Sequence, residues 1–279
     1  MLFLLLATAA LLAAWAFWWE PGRLVLNETE LEVPGWPEGE ETRIAVIADL
    51  HVGSPRNGRD NLRRVVRRVN ETLPDLVLIA GDLTIDNVLG GGFVPPEEIA
   101  EDLAALDPRY GAYAVLGNHD RWLSAARVEA ALAGVGIPVL DNQGARVRVR
   151  GHDTWIAGVA DYWTGHPSIE EALDGAGVGE PVILFTHNPD LFPEVPPRVS
   201  LTVAGHTHGG QVIIPFVGPG ITPSRFGDRY ASGHVVEDGR HLFVTTGVGT
   251  SRLGVRFLVP PEVALLRLRR CDPCEPPPE

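Results

Sequence analysis

The sequence contains no lysine, since all 23 of its basic residues are arginine. This absence excludes a P-loop lysine, a Schiff-base lysine and a Ser-Lys dyad. Cysteine is also scarce: the chain has two, Cys271 and Cys274, both in a proline-rich C-terminal segment. Two thiols are too few for a closed zinc site, so a structural zinc module is excluded as well.

Positive charge is in short supply too. The formal net charge is −13 and the isoelectric point lies near 5.1. Proteins that hold nucleic acid broadly use clustered basic residues, so no nucleic-acid partner is expected, and any phosphate group must be bound locally. With 279 residues, of which 45% are hydrophobic, the chain can bury a sizeable core.

The N-terminal run is long enough to cross a membrane. Residues 2–19 carry no charged side chain, and at about 1.5 Å per residue they span about 27 Å, close to the thickness of a hydrocarbon core. Trp15, Phe17, Trp18 and Trp19 lie at its C-terminal end, where aromatic rings favour the level of the lipid headgroups. This pattern favours a membrane anchor, and the few nearby positive charges leave the orientation open.

A cleaved signal peptide is the alternative interpretation of this run. Ala14, Trp15 and Ala16 resemble a small-residue cleavage site. However, no basic segment precedes the run and bulky tryptophans follow it, which favours the anchor.

Composition divides the chain into four predicted parts. Residues 1–22 form the anchor, and residues 23–41 are acidic and contain prolines, which indicates a linker or a lead-in strand. The main folded domain covers residues 42–270, and residues 271–279 form a proline-rich tail.

Short apolar runs of strand length recur in this domain, and each ends at polar residues. The predicted buried strands are 44–48, 76–80, 113–116, 182–185 and 201–204. Between the first two, apolar residues from Leu62 to Val69 recur at helical spacing, which predicts a βαβ unit. Further helices are predicted at 96–106 and 124–133, and alternation after residue 145 indicates more strand than helix. The pattern is that of an α/β protein with two packed sheets and helices outside.

The residues that follow the predicted strands are the main functional signal. The segments are Asp49-Leu50-His51, Gly81-Asp82, Gly117-Asn118-His119-Asp120, His187-Asn188 and Gly205-His206-Thr207-His208. Ligand sites in α/β sheets lie at the carboxyl ends of strands, so these segments can converge on one rim. A lone histidine at a strand end is more often a hydrogen-bonded structural residue than a metal ligand. A purely structural role would, however, have to account for all five segments at once.

These segments supply more candidate metal ligands than one tetrahedral site can use. The candidates are Asp49, His51, Asp82, Asn118, His187, His206 and His208. Imidazole, carboxylate and carboxamide donors form a mixed nitrogen and oxygen set that suits manganese, iron or zinc. The number of donors favours two ions bridged by one carboxylate.

The series DLH, GD, GNHD, TH and GHTHGG resembles the motif series of the calcineurin-like metallophosphoesterases, over residues 44–211. The resemblance implies an α/β fold built as a four-layer α-β-β-α sandwich with a dinuclear centre. It implies a first metal ion on Asp49, His51 and His208, a second on Asn118, His187 and His206, and Asp82 as the bridge. Two divalent metal ions are the implied cofactors, with manganese preferred and iron or zinc as alternatives.

The C-terminal part, including TPSRFGDRYASG and LFVTTGVGTSRLGVRFLVPPEVALLRL, is similar to bacterial membrane-anchored phosphodiesterases of the YkuE and YaeI type. This implies a single-pass protein of the bacterial inner membrane that hydrolyses phosphodiester or pyrophosphate bonds, with a membrane lipid or lipid precursor as a candidate substrate. A UDP-2,3-diacylglucosamine pyrophosphatase of lipid A synthesis and a protein phosphatase are the enzymatic alternatives. A metal-stabilised membrane scaffold is the non-enzymatic alternative, which the complete ligand pattern disfavours.

Hydrolysis is expected to use a hydroxide that bridges the two metal ions, because cations lower the pKa of bound water. His119, beside the ligand Asn118, is the candidate proton donor to the leaving group. Asp120 is expected to orient that imidazole or to cap a helix N-terminus. Arg225 and Arg229 are candidates for holding a second phosphate.

Overall fold

A computed structural model describes residues 1–39, 41–86 and 88–271 of the chain. The helices are α1 (Leu2–Ala14), α2 (Arg59–Glu71), α3 (Pro96–Leu103), α4 (Asn118–Ala133) and α5 (Ile169–Leu173). The strands are β1 (Val25–Val33), β2 (Thr42–Ile47), β3 (Leu76–Ala80), β4 (Ala112–Val115), β5 (Gln143–Val149), β6 (His152–Val159), β7 (Val182–Thr186), β8 (Leu201–Ala204), β9 (Ile213–Ile214), β10 (Gly218–Pro219), β11 (Gly233–Glu237), β12 (Arg240–Val244) and β13 (Glu262–Arg270). Single 3₁₀ turns occur at Pro189–Glu194, His208–Gly210 and Gly227–Tyr230.

Two mixed sheets form the framework. The first has the strand order β1-β13-β2-β3-β4, in which β13 runs antiparallel to β2 and the other neighbours are parallel. The second has the order β11-β12-β8-β7-β6-β5, with antiparallel pairs at its two edges. The five buried strands predicted from the sequence are β2, β3, β4, β7 and β8, each confirmed within two residues at either end.

Alternation along the strands separates the layers of the core. In β2, Ile44 and Val46 face the core between the two sheets, whereas Ala45 and Ile47 pack against α2, α3 and α4. The outer face of the second sheet packs against α5, the 3₁₀ turn at Pro189–Glu194 and Tyr230. Because successive side chains of a strand point to opposite faces, one apolar run contributes to two layers. The predicted four-layer α/β sandwich is therefore confirmed.

Helix α4 begins six residues earlier than the predicted start at residue 124. Gly117 is its N-cap, and the Asp120 carboxylate accepts a hydrogen bond from the Gly117 N–H. Ser124 has an extended backbone, with φ 178° and ψ 105°, which separates the first turn from the rest of the helix. The sequence pattern identified the second part, and the first turn carries Asn118 and His119 to the end of β4.

Strand β1 joins the two ends of the chain in one sheet. It pairs in parallel with β13, from Val25 opposite Glu262 to Val33 opposite Arg270. Residues 23–41 therefore contain an edge strand of the first sheet. The division into four parts at residues 22, 41 and 270 stays a prediction, and residues 272–279, with Cys274, lie outside the described residues.

Within the described residues, one helix is long and apolar enough to cross a membrane. Helix α1 continues through a π-helical segment, Trp15–Trp19, and a 3₁₀ turn, Glu20–Gly22. Within residues 2–22, the most apolar stretch of 18 residues has a mean hydropathy of 2.0, and 6% of that stretch is buried. This helix has the length and composition of a membrane span.

The C-terminal end of this helix is fixed to the folded domain. The Ala16 carbonyl accepts a 3.0 Å hydrogen bond from the Arg256 N–H, and the Gly22 carbonyl accepts a 2.8 Å bond from the Arg64 guanidinium. Arg56 lies over the Trp18 ring at 4.3 Å. The helix end is therefore held in a definite position on the domain.

Candidate metal centre

The strand ends bring all seven predicted metal ligands to one edge of the two sheets. Asp49 and His51 follow β2, Asp82 follows β3, Asn118 opens α4 after β4, His187 follows β7, and His206 and His208 follow β8. Every one of these side chains is buried. The convergence agrees with the rule that ligand sites lie beyond the carboxyl ends of strands.

The backbone of this cluster is strained. Left-handed φ angles occur at Asp49 (50°), His51 (38°), Asp82 (54°), His206 (71°) and His208 (52°). Residues with a Cβ avoid this region, and such conformations, which cost about 1–3 kcal/mol each, concentrate at functional sites.

The glycines beside the ligands are required by close packing. A Cβ at Gly117 would overlap the Asp82 carboxylate, and a Cβ at Gly205 would lie 2.7 Å from Asp49 Oδ2. A larger residue at either position would displace a ligand carboxylate. This explains why glycine precedes Asn118 and His206 in the sequence.

Three of the ligands form a first group. His51 Nε2 and His208 Nε2 lie 3.2 Å apart, and His208 Nε2 lies 3.4 Å from Asp49 Oδ1. The candidate ligand atoms of these three residues all lie within 4.8 Å of one another. They correspond to the first metal position that the sequence resemblance implies.

The second group lies beside the first. His187 Nε2 is 3.1 Å from His206 Nδ1 and 3.2 Å from Asn118 Oδ1. It is also 3.2 Å from Asp82 Oδ2, and Asp82, His187 and His206 satisfy the same 4.8 Å criterion. These residues correspond to the second implied position.

Asp82 lies between the two groups. Its Oδ2 is 3.5 Å from His51 Nε2 in the first group and 3.2 Å from His187 Nε2 in the second. Its other oxygen, Oδ1, accepts a 2.8 Å hydrogen bond from the His119 backbone N–H, which fixes the carboxylate orientation. A single oxygen therefore faces both groups, as a bridging carboxylate requires.

Backbone carbonyls orient two of the imidazoles. His51 Nδ1 lies 3.2 Å from the Thr84 carbonyl oxygen, and His187 Nδ1 lies 2.8 Å from that of Ala80. Donation of the Nδ1 proton to a carbonyl leaves the Nε2 lone pair directed into the cluster. This is the tautomer that a metal ligand needs.

Burial and mutual charge set the protonation of the cluster. Burial raises the pKa of Asp49 to about 7 and lowers the pKa of His51 and of His206 to about 3. Burial alone would also raise the pKa of Asp82, but the charge of His187 holds it well below its usual range. Burial opposes the charge on His187, and Asp82 raises the pKa of that imidazole well above its usual value. The cluster therefore stabilises positive charge next to Asp82.

The donor set fits two divalent cations. Adjacent ligands of one cation with bonds near 2.1 Å are about 3.0–3.4 Å apart, which matches the Nε2 separation of His51 and His208. Two neutral imidazoles that face each other through lone pairs repel unless a cation or a proton lies between them. Nitrogen and oxygen donors without thiolate suit manganese, iron or zinc.

His119 lies beside the cluster. Its ring packs edge-on against His51 and Trp122, and its buried Nδ1 has no hydrogen-bonding partner among the described residues. Burial lowers the pKa of His119, and the Asp82 charge opposes that shift. Beside a phosphate group this pKa would rise, because an anion stabilises the charged imidazole.

One of the two roles predicted for Asp120 requires its carboxylate to accept a hydrogen bond from the His119 imidazole. The structure shows no such contact. Its carboxylate accepts hydrogen bonds from the backbone N–H groups of Leu83, Thr84 and Gly117. The expectation that it orients the imidazole is therefore wrong, because these donors take up the carboxylate. Asp120 instead joins the segment after Asp82 to the first turn of α4.

A cleft of about 440 Å³ opens above the cluster. Its walls include Asp82, Asn118, His119, Trp122, Trp163, His206, His208, Val212, Gly220, Ile221, Pro223, Ser251, Arg252, Leu253 and Val255. Hydrophobic and aromatic groups therefore surround a small number of polar ones, which is typical of a ligand site.

The arginines predicted to hold a second phosphate lie elsewhere. Arg229 donates to Glu237, and Arg225 contacts Tyr162 and the Asp190 carbonyl, outside the lining of the cleft. Within the described residues, the arginine that lines the cleft is Arg252. It carried no distinguishing signal in the sequence, because the position depends on how the segment after β12 folds back over the site.

Comparisons with known proteins point to one family. The model of the family described as calcineurin-like phosphoesterase matches residues 42–210. A Bacillus subtilis protein named uncharacterized metallophosphoesterase YkuE is 30% identical over 272 residues, which cover 95% of this chain and 93% of its own. Phosphodiesterase YaeI of Escherichia coli is 32% identical over 206 residues, covering 71% of this chain and 72% of its own.

A vertebrate protein and one solved structure extend these comparisons. A Danio rerio transmembrane protein with metallophosphoesterase domain is 32% identical over 272 residues, and the match covers 90% of this chain but 58% of that protein. A 5'-nucleotidase precursor from Thermus thermophilus superposes with a TM-score of 0.46 at 17% identity, covering 74% of this chain and 48% of its own.

Proposed function

The chain belongs to the calcineurin-like phosphoesterase family, and from that premise we propose that it hydrolyses a phosphodiester or pyrophosphate bond with two bound divalent cations. It is a hydrolase that acts on phosphoester bonds. The observation that carries the proposal is the position of Asp82 Oδ2, which lies 3.5 Å from His51 Nε2 and 3.2 Å from His187 Nε2.

Each cation would be held by one group of side chains. The first would bind Asp49, His51 and His208, the second Asn118, His187 and His206, and Asp82 would contact both. Cations bound there supply Lewis acidity, which lowers the pKa of water and withdraws charge from a phosphoryl group. Manganese is our preferred metal, with iron or zinc as the alternatives that the same donors accept.

The remaining groups act on the substrate. His119 lies at the wall of the cleft and would donate a proton to the leaving group. Arg252, at the same wall, would pair with a phosphoryl oxygen through its planar guanidinium. Asp120 would fix the segment that carries Asp82 relative to the one that carries His119.

We also propose that residues 2–22 anchor the domain in a bacterial inner membrane as a single span. The apolar helix and the Danio rerio relative, which is named a transmembrane protein, support this placement. Attachment to a bilayer favours a membrane lipid or a lipid precursor as the substrate. The name of Escherichia coli YaeI supports a phosphodiester, and UDP-2,3-diacylglucosamine is the pyrophosphate candidate to assay beside it.

Hydrolysis of bis-p-nitrophenyl phosphate by the full chain in detergent tests this proposal. We expect two metal ions per chain, loss of activity with a chelator, and recovery when manganese is restored. Asp82→Asn should abolish the activity, whereas Asp102→Asn, which alters a carboxylate paired with Arg59 and Arg63 on the outer helices, should retain it. Hydrolysis that persists without metal would refute the proposal.

A further inference from the structure

Large apolar side chains are exposed on the two segments, 212–221 and 251–258, that contribute residues to the lining of the cleft. They are Ile214, Phe216, Val217, Ile221, Leu253 and Leu258, and we call this set the apolar rim. Ile221 and Leu253 also line the cleft, so the rim continues directly into the site. Exposed apolar side chains grouped beside a binding site are typical of a surface that contacts a membrane, another protein or an apolar ligand.

Hydrogen bonds connect the apolar rim to the end of the N-terminal helix. Phe257 donates its N–H to the Gln211 carbonyl at 2.9 Å, and its own carbonyl accepts from Ile213 N–H at 2.9 Å. The preceding residue, Arg256, donates its N–H to the Ala16 carbonyl at 3.0 Å. The two rim segments, 212–221 and 251–258, are therefore joined to each other and to the helix at its aromatic end.

A buried guanidinium holds this connection in place. The Arg256 side chain is fully buried and donates to the carbonyls of Thr246 and Gly249 at 2.8 and 2.6 Å. These bonds fix the segment that carries Leu253 and Leu258. The distance between the helix end and the rim is therefore determined by the fold.

The side chains around the helix end suit the surface of a bilayer. Trp15, Trp18 and Trp19 are exposed there, and aromatic rings of this kind lie at the headgroup level of membranes. Arg56 over the Trp18 ring and Arg252 at the cleft are exposed cations that can meet lipid phosphates. The hydrogen bond from Arg256 to Ala16 joins segment 251–258 to the part of the helix that these rings would place at the headgroup level.

We propose that the apolar rim inserts into the bilayer beside the helix, so that a lipid phosphoester enters the cleft directly from the membrane. This inference rests on the proposed function. Phe216 and Val217 would contact the bilayer itself, whereas Ile221 and Leu253 would contact the acyl part of the substrate. The substrate class is a phosphoester whose apolar chain stays in the membrane while its phosphate reaches the metal ligands.

Spin labelling of the full chain in phosphatidylglycerol and phosphatidylcholine vesicles tests the insertion without any need for activity. A nitroxide would be attached at Phe216→Cys in a Cys271→Ser, Cys274→Ser background, with Val178→Cys as the control, because Val178 is an exposed apolar residue away from the rim. We expect oxygen to relax the Phe216 label and a water-soluble nickel chelate to relax the Val178 label. A Phe216 label relaxed mainly by nickel would overturn the proposal, and so would one shielded from both reagents, which would indicate a protein partner.

Kinetics on two substrates with the same leaving group test the consequence for function. In the same vesicles, hexadecyl and ethyl p-nitrophenyl phosphate would be compared for the native chain, a Phe216→Ser, Val217→Ser double variant, and Val178→Ser. We expect the double variant to lose about ten-fold on the hexadecyl substrate and to retain its rate on the ethyl substrate. If each of the three proteins hydrolysed the hexadecyl and the ethyl substrate at equal rates, the proposal would be overturned. If none of them hydrolysed either substrate, the proposed function would be refuted, and the nitroxide experiment alone would decide whether the rim inserts.

Discussion

Replacing His119 with alanine removes an imidazole from the wall of the cleft but retains the backbone N–H that holds Asp82 Oδ1 at 2.8 Å. Both metal ions should therefore stay bound. The lost ring contacts are edge-on packing against His51 and Trp122, at centroid distances of 4.8 and 4.7 Å. Aromatic pairs contribute about 0.5–1.5 kcal/mol each, so the variant should remain folded.

The effect on catalysis should depend on the leaving group. General acid catalysis contributes about 10²- to 10⁴-fold, so kcat on an alkyl diester should fall by that range in the His119→Ala variant. A p-nitrophenolate leaving group needs little protonation, so kcat on bis-p-nitrophenyl phosphate should change by only a few-fold. Measurement of kcat on both substrates, together with metal analysis, separates proton donation from a general defect. Equal losses on the two diesters, or missing metal, would show that the role assigned to His119 is wrong.

Three other perturbations have defined outcomes. Asp82→Ala should lower the metal content and abolish activity, and two tightly held ions in this variant would exclude the bridging role. Deleting residues 2–14 should yield a soluble, active domain, whereas deleting 2–22 should in addition lower the midpoint of thermal unfolding, because it removes the carbonyls that accept from Arg256 and Arg64. The Arg267 hydrogen bond lowers the pKa of Glu41 from 4.5 to about 2. The ionised Glu41 carboxylate therefore stabilises the folded state fully above pH 4.5, and this contribution is lost as the pH falls towards 2. Glu41→Gln should therefore reduce the free energy of unfolding by about 1–2 kcal/mol at pH 7, after allowance for solvent screening, and progressively less below pH 4.5, as urea titrations at several pH values would reveal.

The strands, and the candidate metal ligands at their ends, could be located from the sequence because both signals are local. Apolar runs such as 76–80 and 201–204 end at a glycine followed by a candidate ligand, and close packing requires that glycine, because a Cβ at Gly81 would lie 2.6 Å from the Gly117 backbone nitrogen and one at Gly205 would lie 2.7 Å from Asp49 Oδ2. Each prediction depends on residues within one strand and the turn that follows it. The fold then needs only the rule that parallel strands bring their carboxyl ends together.

The features that the sequence did not predict depend on contacts between distant segments. Asp120 accepts from the backbone N–H groups of Leu83 and Thr84, 37 and 36 residues earlier, and these partners could not be inferred from its neighbours, whereas the bond from the Gly117 N–H is a local contact at the helix N-terminus of the kind the sequence allowed. The pairing of Asn27 with Glu262 joins positions 235 residues apart. Arg225 donates to Tyr162 and to the Asp190 carbonyl, 63 and 35 residues earlier, so its position outside the cleft could not be inferred from the sequence around it, whereas Arg229 pairs with the nearby Glu237.

The left-handed backbone of the ligand residues has a consequence for attempts to engineer this protein. Glycine, which has no Cβ, adopts that conformation more readily than aspartate or histidine does, so replacing Asp49, Asp82 or His206 with glycine should relieve about 1 kcal/mol of strain at each position. A directed-evolution screen for heat resistance, run in the presence of a chelator, would therefore select changes at these positions and accumulate inactive proteins. Selection with manganese present would oppose that drift, because bound cations stabilise the native chain by a free energy that grows with the logarithm of their concentration relative to the dissociation constant.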